Sequence, residues 1–281
     1  MRIAVTGANG GLGRAFLEQA PAHHEVHAFG HAELAVEDFH AVMQTLVPLG
    51  PDAILHLAAM TGVDACETDE PAAFAVNATG ARNVADAARR TGAGLLAVST
   101  DYVFDGTKGA AYHEFDPPNP LSVYGRSKLA GEDAVRELVP DAGVVRTAWV
   151  FGAGDDFVTG AIRKLANGEK AGGIVDLHGT PTYVHHLAAR LLALLVSGRT
   201  GTFHLGGPER LSFHDLLSRA KALGDLPGEL VEQKAGDLER PAPRPVDSSL
   251  TSQVSDEAGV PPMPPIDEAL ADLLERIRGG D

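Results

Sequence analysis

The chain has 281 residues, a formal net charge of −15 at pH 7 and 44% hydrophobic residues. That length allows one large α/β domain, or a large domain with a smaller lobe. The acidic balance argues against a general surface for nucleic acid or for an anionic membrane, because both require clustered Lys and Arg. The negative net charge does not exclude a small-molecule ligand that carries phosphate, since backbone N–H groups can hold phosphate on an acidic protein.

Cysteine content and hydropathy bear on where the protein works. Cys66 is the only cysteine, so no intrachain disulfide can form and we expect a cytoplasmic protein. The apolar run in residues 3–5 is too short for a signal peptide and leads directly into a glycine motif. A later apolar stretch, Leu187–Val196, is too short to cross a bilayer.

Short apolar runs alternate with longer helical patterns over the first two thirds of the chain, which is typical of stacked βαβ units. The predicted strands, apolar on both faces as covered parallel strands are, lie at Arg2–Thr6, Glu25–Phe29, Ala53–Leu57, Leu95–Ser99 and Gly143–Arg146. The predicted helices lie at Leu12–Gln19, Val36–Leu46, Ala72–Thr91 and Leu121–Leu138. Residues 1–150 are therefore expected to form a Rossmann-type, doubly wound parallel sheet that binds a dinucleotide.

After Arg146 the pattern changes to loops rich in Gly and Pro, separated by helices. Those helices are predicted at Asp156–Ala166, Thr182–Val196, Ser212–Leu223 and Pro265–Ile277. We expect residues 151–281 to form mainly a smaller, C-terminal substrate-binding lobe. Parts of residues 172–205 are expected to complete the main sheet.

A glycine-rich loop follows the first predicted strand directly. Glycines at positions 7, 10 and 13 let the chain turn sharply, approach a pyrophosphate and pack the next helix on the sheet. The alternative is a structural turn without a ligand, but the position between a strand and a helix is the context that a dinucleotide site requires. The loop residues expected to bind a nicotinamide cofactor are Gly7, Asn9, Gly10, Gly11, Leu12 and Gly13.

The end of the second strand bears on which nicotinamide cofactor is used. An Asp or Glu there binds the adenosine ribose 2′-hydroxyl and repels a 2′-phosphate. Residues 28–31 contain no carboxylate. His31, together with Arg14 just after the glycine loop, favours a phosphate. We therefore expect a weak preference for NADP(H) over NAD(H).

Tyr124 and Lys128 are four residues apart on a predicted helix, so their side chains share a face. An ammonium beside a tyrosine favours the phenolate and is expected to lower the tyrosine pKa. Such a tyrosine can deliver a proton to a carbonyl oxygen as hydride arrives. Thr100 follows a strand that ends at the same sheet edge as the glycine loop, so its hydroxyl can bind the same oxygen. A Tyr-x-x-x-Lys pair is common by chance, but in combination with these features it indicates a redox site.

These motifs resemble those of the extended short-chain dehydrogenases/reductases, and within that group the dTDP-4-dehydrorhamnose reductase family. The two most specific stretches are Ser99–Gly106 and Tyr124–Glu132. Further similar stretches, which together cover most of the chain, are Gly7–Gly13, Pro51-Asp52, Ala58–Asp64, Asn77-Ala78, Asn119–Leu121, Arg146–Val150 and Gly179–Thr182.

The resemblance implies roles for individual residues. Tyr124 would be the general acid, Lys128 would orient the nicotinamide ribose and tune Tyr124, and Thr100 would complete the triad. Residues along the cofactor would be Ala58, Ala59, Thr61 and Asn77, the last of which would also support the active-site helix. Residues at the substrate would be Thr100, Asp101, Tyr102 and Trp149, although Trp149 could instead belong to the core.

The reaction implied by the resemblance is reduction of the 4-keto group of dTDP-4-dehydro-L-rhamnose by NADPH or NADH, which gives dTDP-L-rhamnose. Two alternatives stay open: a reductase or epimerase of another keto-sugar, and a non-catalytic NADP-binding regulatory subunit. An epimerase usually needs further acid/base residues, and none is obvious. A protein that has lost its catalytic activity tends to lose catalytic residues as well, so the intact Thr100, Tyr124 and Lys128 argue against a regulatory subunit. The sequence does not decide whether the protein is a homodimer.

The chain also departs from the family pattern. Asp176-Leu177 stands where the family usually has Asp-Gln, Ala65 replaces a frequent lysine, and Asp247 lies in a segment that is usually Asn-Ser. An unpaired carboxylate at Asp247 would lie near an anionic nucleotide. These departures leave the redox residues intact and bear on the substrate.

No set of metal ligands stands out. His23, His24 and His27 are expected to be ordinary surface histidines, since only Glu25 accompanies them at ligand spacing. Some members of the resembled family use magnesium, but no carboxylate cluster here requires it. Cys66 is expected to be a small buried residue rather than a nucleophile, because no base is evident beside it.

Overall fold

A computed structural model describes residues 1–20, 23–254 and 258–279. In these ranges the strands are β1 (Arg2–Thr6), β2 (Glu25–Phe29), β3 (Ala53–His56), β4 (Gly94–Thr100), β5 (Gly143–Thr147), β6 (Val150–Phe151), β7 (Ala171–Ile174), β8 (His178–Gly179), β9 (Thr182–Tyr183), β10 (Gly201–His204), β11 (Leu211–Ser212) and β12 (Leu230–Gln233). The helices are α1 (Gly11–Gln19), α2 (Phe39–Leu49), α3 (Val63–Thr68), α4 (Glu70–Phe74), α5 (Ala81–Thr91), α6 (Val123–Leu138), α7 (Phe157–Ala166), α8 (Val184–Ser197), α9 (Phe213–Gly224) and α10 (Ile266–Gly279).

A six-stranded sheet in the order β10-β5-β4-β3-β1-β2 forms the centre of this described part. All of its neighbouring strands are parallel. The chain runs from β1 to β2 on one side and then crosses to β3 on the other side of β1. This reversal opens a crevice at the carboxyl ends of β1 and β3, which is where ligands bind in doubly wound sheets.

Each face of the sheet is covered by helices, because the central strands are apolar on both sides. Ile3 and Val5 of β1 point into a core that includes residues of α1, α7, α8, α9 and α10. Ala4, between them, points to the other face, into a core with residues of α2 and α5. This alternation is the period of two expected for a strand. The prediction of a doubly wound α/β fold is confirmed.

Residues from 150 onward add three two-stranded pairings: β6 with β9, β7 with β12, and β8 with β11. The last helices, α9 and α10, pack against each other and contribute Leu216, Leu217 and Leu270 to the core on the α1 side of the sheet. Strand β10 returns to the main sheet and pairs with β5. No helix in the described ranges is both long and apolar enough to span a membrane.

The structure corrects the predicted helix at Ala72–Thr91. That segment consists of α4, one π-helical stretch at Ala75–Gly80, and α5. A π turn widens the helix and is found most often at functional sites, and periodicity alone could not reveal it. Helix α2 begins at Phe39 rather than at Val36, because the Asp38 carboxylate accepts hydrogen bonds from the backbone N–H groups of His40 and Ala41.

Candidate active site

A cavity of about 700 Å³ lies at the carboxyl ends of the strands and extends under the residues that follow β5. It brings together every residue predicted for the site except Asn77. The predicted residues along its wall are Gly7, Asn9, Gly10, Gly11, Leu12, Gly13, His31, Ala58, Ala59, Thr61, Thr100, Asp101, Tyr102, Tyr124, Lys128 and Trp149.

The glycine loop has the shape that a pyrophosphate requires. Gly7 has φ of +70°, and a Cβ there would lie 2.6 Å from the backbone N of Ala58. A Cβ on Gly13 would lie 2.5 Å from the carbonyl oxygen of Ala8. Helix α1 begins at Gly11 with no side chain capping its N-terminus, so its first N–H groups are available to an anion in the cavity. These residues fit a dinucleotide.

The segment that follows β2 contains charges that the sequence analysis missed. His31 lines the cavity and its Nε2 lies 3.0 Å from a carboxylate oxygen of Glu37. A carboxylate oxygen of Glu33 lies 2.7 Å from the point that a Cβ on Gly30 would occupy. The Arg14 guanidinium donates to the carbonyl oxygens of Asn9 and Ala153 instead of facing the cavity. Carboxylates are therefore present at this end of the cavity, on Glu33 and Glu37, four and eight residues after the end of β2.

Helix α6 carries Tyr124 and Lys128 into the cavity. The Ser122 hydroxyl accepts a hydrogen bond from the N–H of Gly125 and fixes the start of the helix. A Cβ on Gly125 would lie 2.1 Å from the carbonyl oxygen of Tyr102, so glycine is required for the close approach of α6 to this turn. The Lys128 ammonium donates to the carbonyl oxygen of Val98 over 2.8 Å. Burial lowers the pKa of Lys128 to about 8, against the raising effect of Glu132.

The expected lowering of the Tyr124 pKa by Lys128 is wrong. Burial raises the pKa of Tyr124, and the nearby Asp101 and Tyr102 raise it further. The Thr100 hydroxyl near the Tyr124 phenol acts to lower the pKa of Tyr124. Tyr124 is therefore held as the neutral phenol, which is the form that can donate a proton.

Asp101 lies buried beside these residues, with 2% of its surface exposed. One carboxylate oxygen accepts a hydrogen bond from Thr100 Oγ1 over 3.0 Å, and the other accepts one from the hydroxyl of Ser248. Burial raises the pKa of Asp101 to about 7, although both hydroxyl partners lower it. A carboxyl group with a pKa near neutrality next to Thr100 is a feature that the sequence did not reveal.

Asn77 sits in the π-helical stretch and holds two segments together. Its side-chain oxygen accepts from the N–H of Met60, and its amide donates to the carbonyl oxygen of Met60 and to the hydroxyl of Ser127 on α6. These contacts agree with the supporting role implied by the resemblance. Asn77 is almost fully buried and does not line the cavity.

Trp149 has φ of +47°, an uncommon conformation for a non-glycine residue. Its ring stacks on Phe213 with the centroids 3.8 Å apart and the planes 2° from parallel. A Cβ on Gly179 would lie 2.5 Å from the Trp149 ring. Trp149 and Phe213 both line the cavity, so Trp149 is an aromatic wall of the site rather than a core residue. Phe213 was not predicted, because phenylalanine at a helix start is typical of packing.

Asp247 and Arg244, in the segment that contacts Asp101 and Tyr102, each form an ion pair. Asp247, the departure from the family pattern, accepts from Arg210 over 2.7 Å. It therefore does not present an unpaired charge to a nucleotide. Arg244 makes a two-pronged contact with Asp64, at 2.6 and 2.7 Å. The pairs join residues far apart in sequence, which is why sequence reasoning missed them.

No group of three or more His, Cys, Asp or Glu side chains that could hold a metal ion occurs in ranges 1–20, 23–254 and 258–279. The Cys66 thiol is fully buried and donates to the carbonyl oxygen of Met60. Burial raises the pKa of Cys66, which keeps the thiol protonated and unreactive.

Comparisons with known proteins agree with this geometry. Residues 1–278 match the family model described as RmlD substrate binding domain. The dTDP-4-dehydrorhamnose reductase of Mycolicibacterium smegmatis is 39% identical over 99% of this chain and 86% of its own length. The enzyme of the same name from Mycobacterium tuberculosis is 40% identical over 97% of this chain and 92% of its own length.

A solved structure is similar to this chain over nearly its full length. A dTDP-4-dehydrorhamnose reductase from Bacillus anthracis, in complex with NADP, superposes with a TM-score of 0.94 over 98% of this chain and 99% of that chain, at 32% identity. The family model, the sequence relatives and the structural neighbour all match over nearly the whole chain. This chain therefore belongs to the dTDP-4-dehydrorhamnose reductase family.

Proposed function

We propose that this protein is an NAD(P)H-dependent reductase of the 4-keto group of a nucleotide-activated deoxysugar, and that it converts dTDP-4-dehydro-L-rhamnose to dTDP-L-rhamnose. The observation that carries the proposal is the convergence of Thr100, Tyr124 and Lys128 with the glycine loop in one cavity. The names of the relatives support the choice of substrate.

The glycine loop and Ala58, Ala59 and Thr61 line the part of the cavity that would hold the dinucleotide. When bound, the reduced nicotinamide supplies a hydride for the carbonyl carbon of the substrate. The neutral phenol of Tyr124 donates the proton to the carbonyl oxygen, and the Thr100 hydroxyl hydrogen-bonds to the same oxygen. The Lys128 ammonium stabilises the phenolate that forms after the proton has left.

Trp149 and Tyr102 would flank the sugar, since both line the cavity near the triad. We propose the division expected from the sequence, with residues 1–150 binding the dinucleotide and residues 151–281 mainly binding the nucleotide sugar. We also propose a cytoplasmic location.

We propose that the protein prefers NADP(H) weakly over NAD(H). The NADP complex of the related structure supports NADP(H), and His31 offers a partner for a 2′-phosphate at the cavity wall. Glu37, paired with His31, and the nearby Glu33 act against a phosphate through like charge. The ratio of the KM values for NADPH and NADH, determined under the same conditions, measures this preference.

The test measures oxidation of NADPH in the presence of dTDP-4-dehydro-L-rhamnose, followed by product analysis, for the wild type and for Tyr124→Phe. We expect turnover by the wild type, and a loss of roughly 10²- to 10⁴-fold in kcat in the variant with cofactor binding retained. Tyr112→Phe is the matched control, because the Tyr112 hydroxyl binds Asp105 outside the cavity.

Cofactor binding without turnover of this sugar would refute the proposed substrate. A panel of other nucleotide keto-sugars then separates a different reductase from a non-catalytic subunit. Absence of cofactor binding would refute the site itself. The mass of the same preparation in solution shows whether the protein is a homodimer.

A further inference from the structure

We propose that Phe213 is a positioning residue that, together with Gly179, encloses both faces of the Trp149 ring. The ring then meets the sugar only with its edge and donates its indole N–H to a sugar oxygen. Trp149 does not serve as a stacking surface in this arrangement. The inference rests on the proposed reductase function and names how one wall of the cavity recognises the sugar.

Phe213 covers the first face of the Trp149 ring. The two ring centroids lie 3.8 Å apart and the planes are 2° from parallel, so no ligand group can enter between them. Phe157 supports Phe213 from the side, because its ring meets that of Phe213 edge-on with the centroids 5.1 Å apart. The Ser212 hydroxyl accepts a hydrogen bond from the N–H of Asp215, which fixes Phe213 as the first residue of α9.

The backbone of Gly179 covers the second face. A Cβ on Gly179 would lie 2.5 Å from Cε2, 2.8 Å from Cδ2 and 2.8 Å from Nε1 of Trp149. Cδ2 and Cε2 are the two atoms shared by the fused rings, so both can be nearest only to a point above or below the ring plane. A point between the two stacked rings would also lie close to Phe213, but no Phe213 atom is among the three nearest. Gly179 therefore lies on the face opposite Phe213.

One β-ribbon holds both covering residues. Strands β8 and β11 pair antiparallel, with Gly179 opposite Leu211, and Phe213 directly follows the last residue of β11. The Trp149 ring is therefore inserted between two parts of a single ribbon. A side chain larger than hydrogen at position 179 would push the ring out of this place.

The edge of the Trp149 ring is the part that a ligand can reach. Trp149 is half-buried and lines the cavity. Its indole N–H donates to no residue that the structure describes, and the nitrogen is not buried. An indole nitrogen can only donate a hydrogen bond, so this edge is suited to an oxygen acceptor on the ligand.

The sheet register places this donor at the sugar rather than at the nucleotide. Thr147, the last residue of β5, pairs in register with Thr100 of β4, and Trp149 follows two residues later. All three residues line the cavity. In the proposed reaction Thr100 binds the carbonyl oxygen of the sugar, so an acceptor close to Trp149 is a hydroxyl or ring oxygen of the same sugar.

The first experiment tests the enclosure of the ring and needs no substrate. Trp149 is the only tryptophan, so acrylamide quenching of tryptophan fluorescence reports the access to this ring alone. We expect a higher quenching constant in Phe213→Ala than in the wild type, because acrylamide can contact the uncovered face. Phe213→Tyr keeps an aromatic ring and should restore the wild-type value.

Phe39→Ala is the matched control for Phe213→Ala. Phe39 is likewise the first residue of a helix and follows a capping side chain, Asp38, but it does not line the cavity. We expect wild-type quenching in this variant. Unfolding midpoints are measured for all variants, and Phe213→Leu, which removes the ring but keeps much of the volume, replaces Phe213→Ala if that variant unfolds.

The second experiment tests the contact with the sugar. Binding of dTDP-L-rhamnose and of dTDP to the protein with NADP⁺ is measured by calorimetry. Trp149→Phe keeps an aromatic ring but lacks the N–H, and we expect it to bind dTDP-L-rhamnose roughly 3- to 10-fold more weakly, which is the effect of one lost hydrogen bond. Its affinity for dTDP, which has no rhamnose, and for NADP⁺ should stay unchanged. Phe213→Ala should show the same selective loss, and Phe213→Tyr should reverse it.

The outcomes separate this inference from the proposed function. Equal quenching in the wild type and in the variant without the Phe213 ring would refute the enclosure. An equal change in the affinities for dTDP and dTDP-L-rhamnose in Trp149→Phe, or no change in either, would refute the sugar contact. Absence of NADPH oxidation by the wild type with the keto-sugar refutes the proposed function instead, and the quenching experiment still decides whether Phe213 holds the ring.

Discussion

Glu132 and Arg146 form a two-pronged ion pair in the interior, between α6 and β5. Arg146 donates to the carboxylate through Nε at 2.9 Å and through Nη2 at 2.7 Å, and both side chains are 3% exposed. The Ser99 hydroxyl of β4 donates to the same carboxylate over 2.5 Å. Glu132 lies one turn beyond Lys128, so this cluster fixes the height of the active-site helix above the sheet.

The first prediction concerns Glu132→Gln. The substitution leaves the Arg146 guanidinium buried without its counter-charge, and breaking such a pair costs about 3–5 kcal/mol. We expect a loss of that size in the free energy of unfolding, measured by urea titration at pH 7. The exposed pair of Arg82 and Glu137 is the control, and Glu137→Gln should change stability by less than about 1 kcal/mol. Equal effects for both variants would contradict the prediction.

A second prediction follows from the contacts of Asn77. Asn77→Ala removes the partners of Met60 and Ser127, which costs about 1–3 kcal/mol for the buried groups left unpaired. It also frees α6 to shift, so we expect a fall in kcat of at least roughly tenfold. Asn83→Ala is the matched control, because Asn83 is also buried but donates to the carbonyl oxygens of Val36 and Glu37 at the cavity wall that follows β2, and not to the segments that carry Met60 and Ser127.

The two asparagine variants should therefore lose similar stability but differ in activity. Unfolding midpoints and kcat are measured on the same preparations. If Asn83→Ala loses as much kcat as Asn77→Ala, the effect is one of general stability and the supporting role of Asn77 is wrong.

The sequence was sufficient for most of the scaffold, because its strands are short apolar runs and its helices have a clear period. The ends of the five predicted strands, β1 to β5, agree with the structure to within one residue, whereas the strands from β6 onward were not predicted individually. Motif spacing also located the glycine loop and the triad, since local geometry places them at one sheet edge. The π-helical stretch around Asn77 could not be predicted, because the hydrophobic pattern of Ala72–Thr91 is that of one continuous helix.

What the sequence could not reveal are contacts between distant segments. Ser248 meets Asp101 across 147 positions, and Arg244 meets Asp64 across 180. The pKa of a buried group depends on such contacts and on burial itself. This is why the expected lowering of the Tyr124 pKa was wrong and the raised pKa of Asp101 went unnoticed.

A third prediction separates two reasons for glycine in the loop: the lack of space for a side chain and the positive φ. Gly7→Ala places a methyl group 2.6 Å from the Ala58 backbone and also strains a backbone with φ of +70°. Gly50 has φ of +55° with open space around its Cβ position, so Gly50→Ala carries the backbone strain alone, about 1–2 kcal/mol. We expect Gly7→Ala to cost more than this in unfolding free energy and to weaken NADPH binding by at least roughly tenfold.

NADPH binding to the two glycine variants is measured by calorimetry. Gly50→Ala should bind the cofactor like the wild type, because it lies at the end of α2, away from the cavity. Wild-type affinity in Gly7→Ala would show that the loop does not need its close approach to Ala58.

A fourth prediction uses the buried imidazole of His56, which is 2% exposed and hydrogen-bonds with Thr6 Oγ1 at 2.8 Å. Burial, with a smaller effect from Lys128, lowers the pKa of His56 to about 3. The unfolded chain takes up a proton at this residue below about pH 6.5, but the folded protein does not until near pH 3. Stability from His56 is therefore complete above pH 6.5 and is lost as the pH falls.

The loss attributable to His56 amounts to about 1.5 kcal/mol between pH 6.5 and pH 5. His56→Asn keeps a polar partner for Thr6 but cannot take up this proton. We expect the wild type to be the more stable protein at pH 6.5, and the difference in unfolding free energy to narrow by about 1.5 kcal/mol at pH 5. Urea titrations at both pH values measure it. A difference independent of pH would mean that His56 takes up its proton at the same pH in the folded protein as in the unfolded chain, and the folded protein would then carry a second positive charge near Lys128 at pH 5.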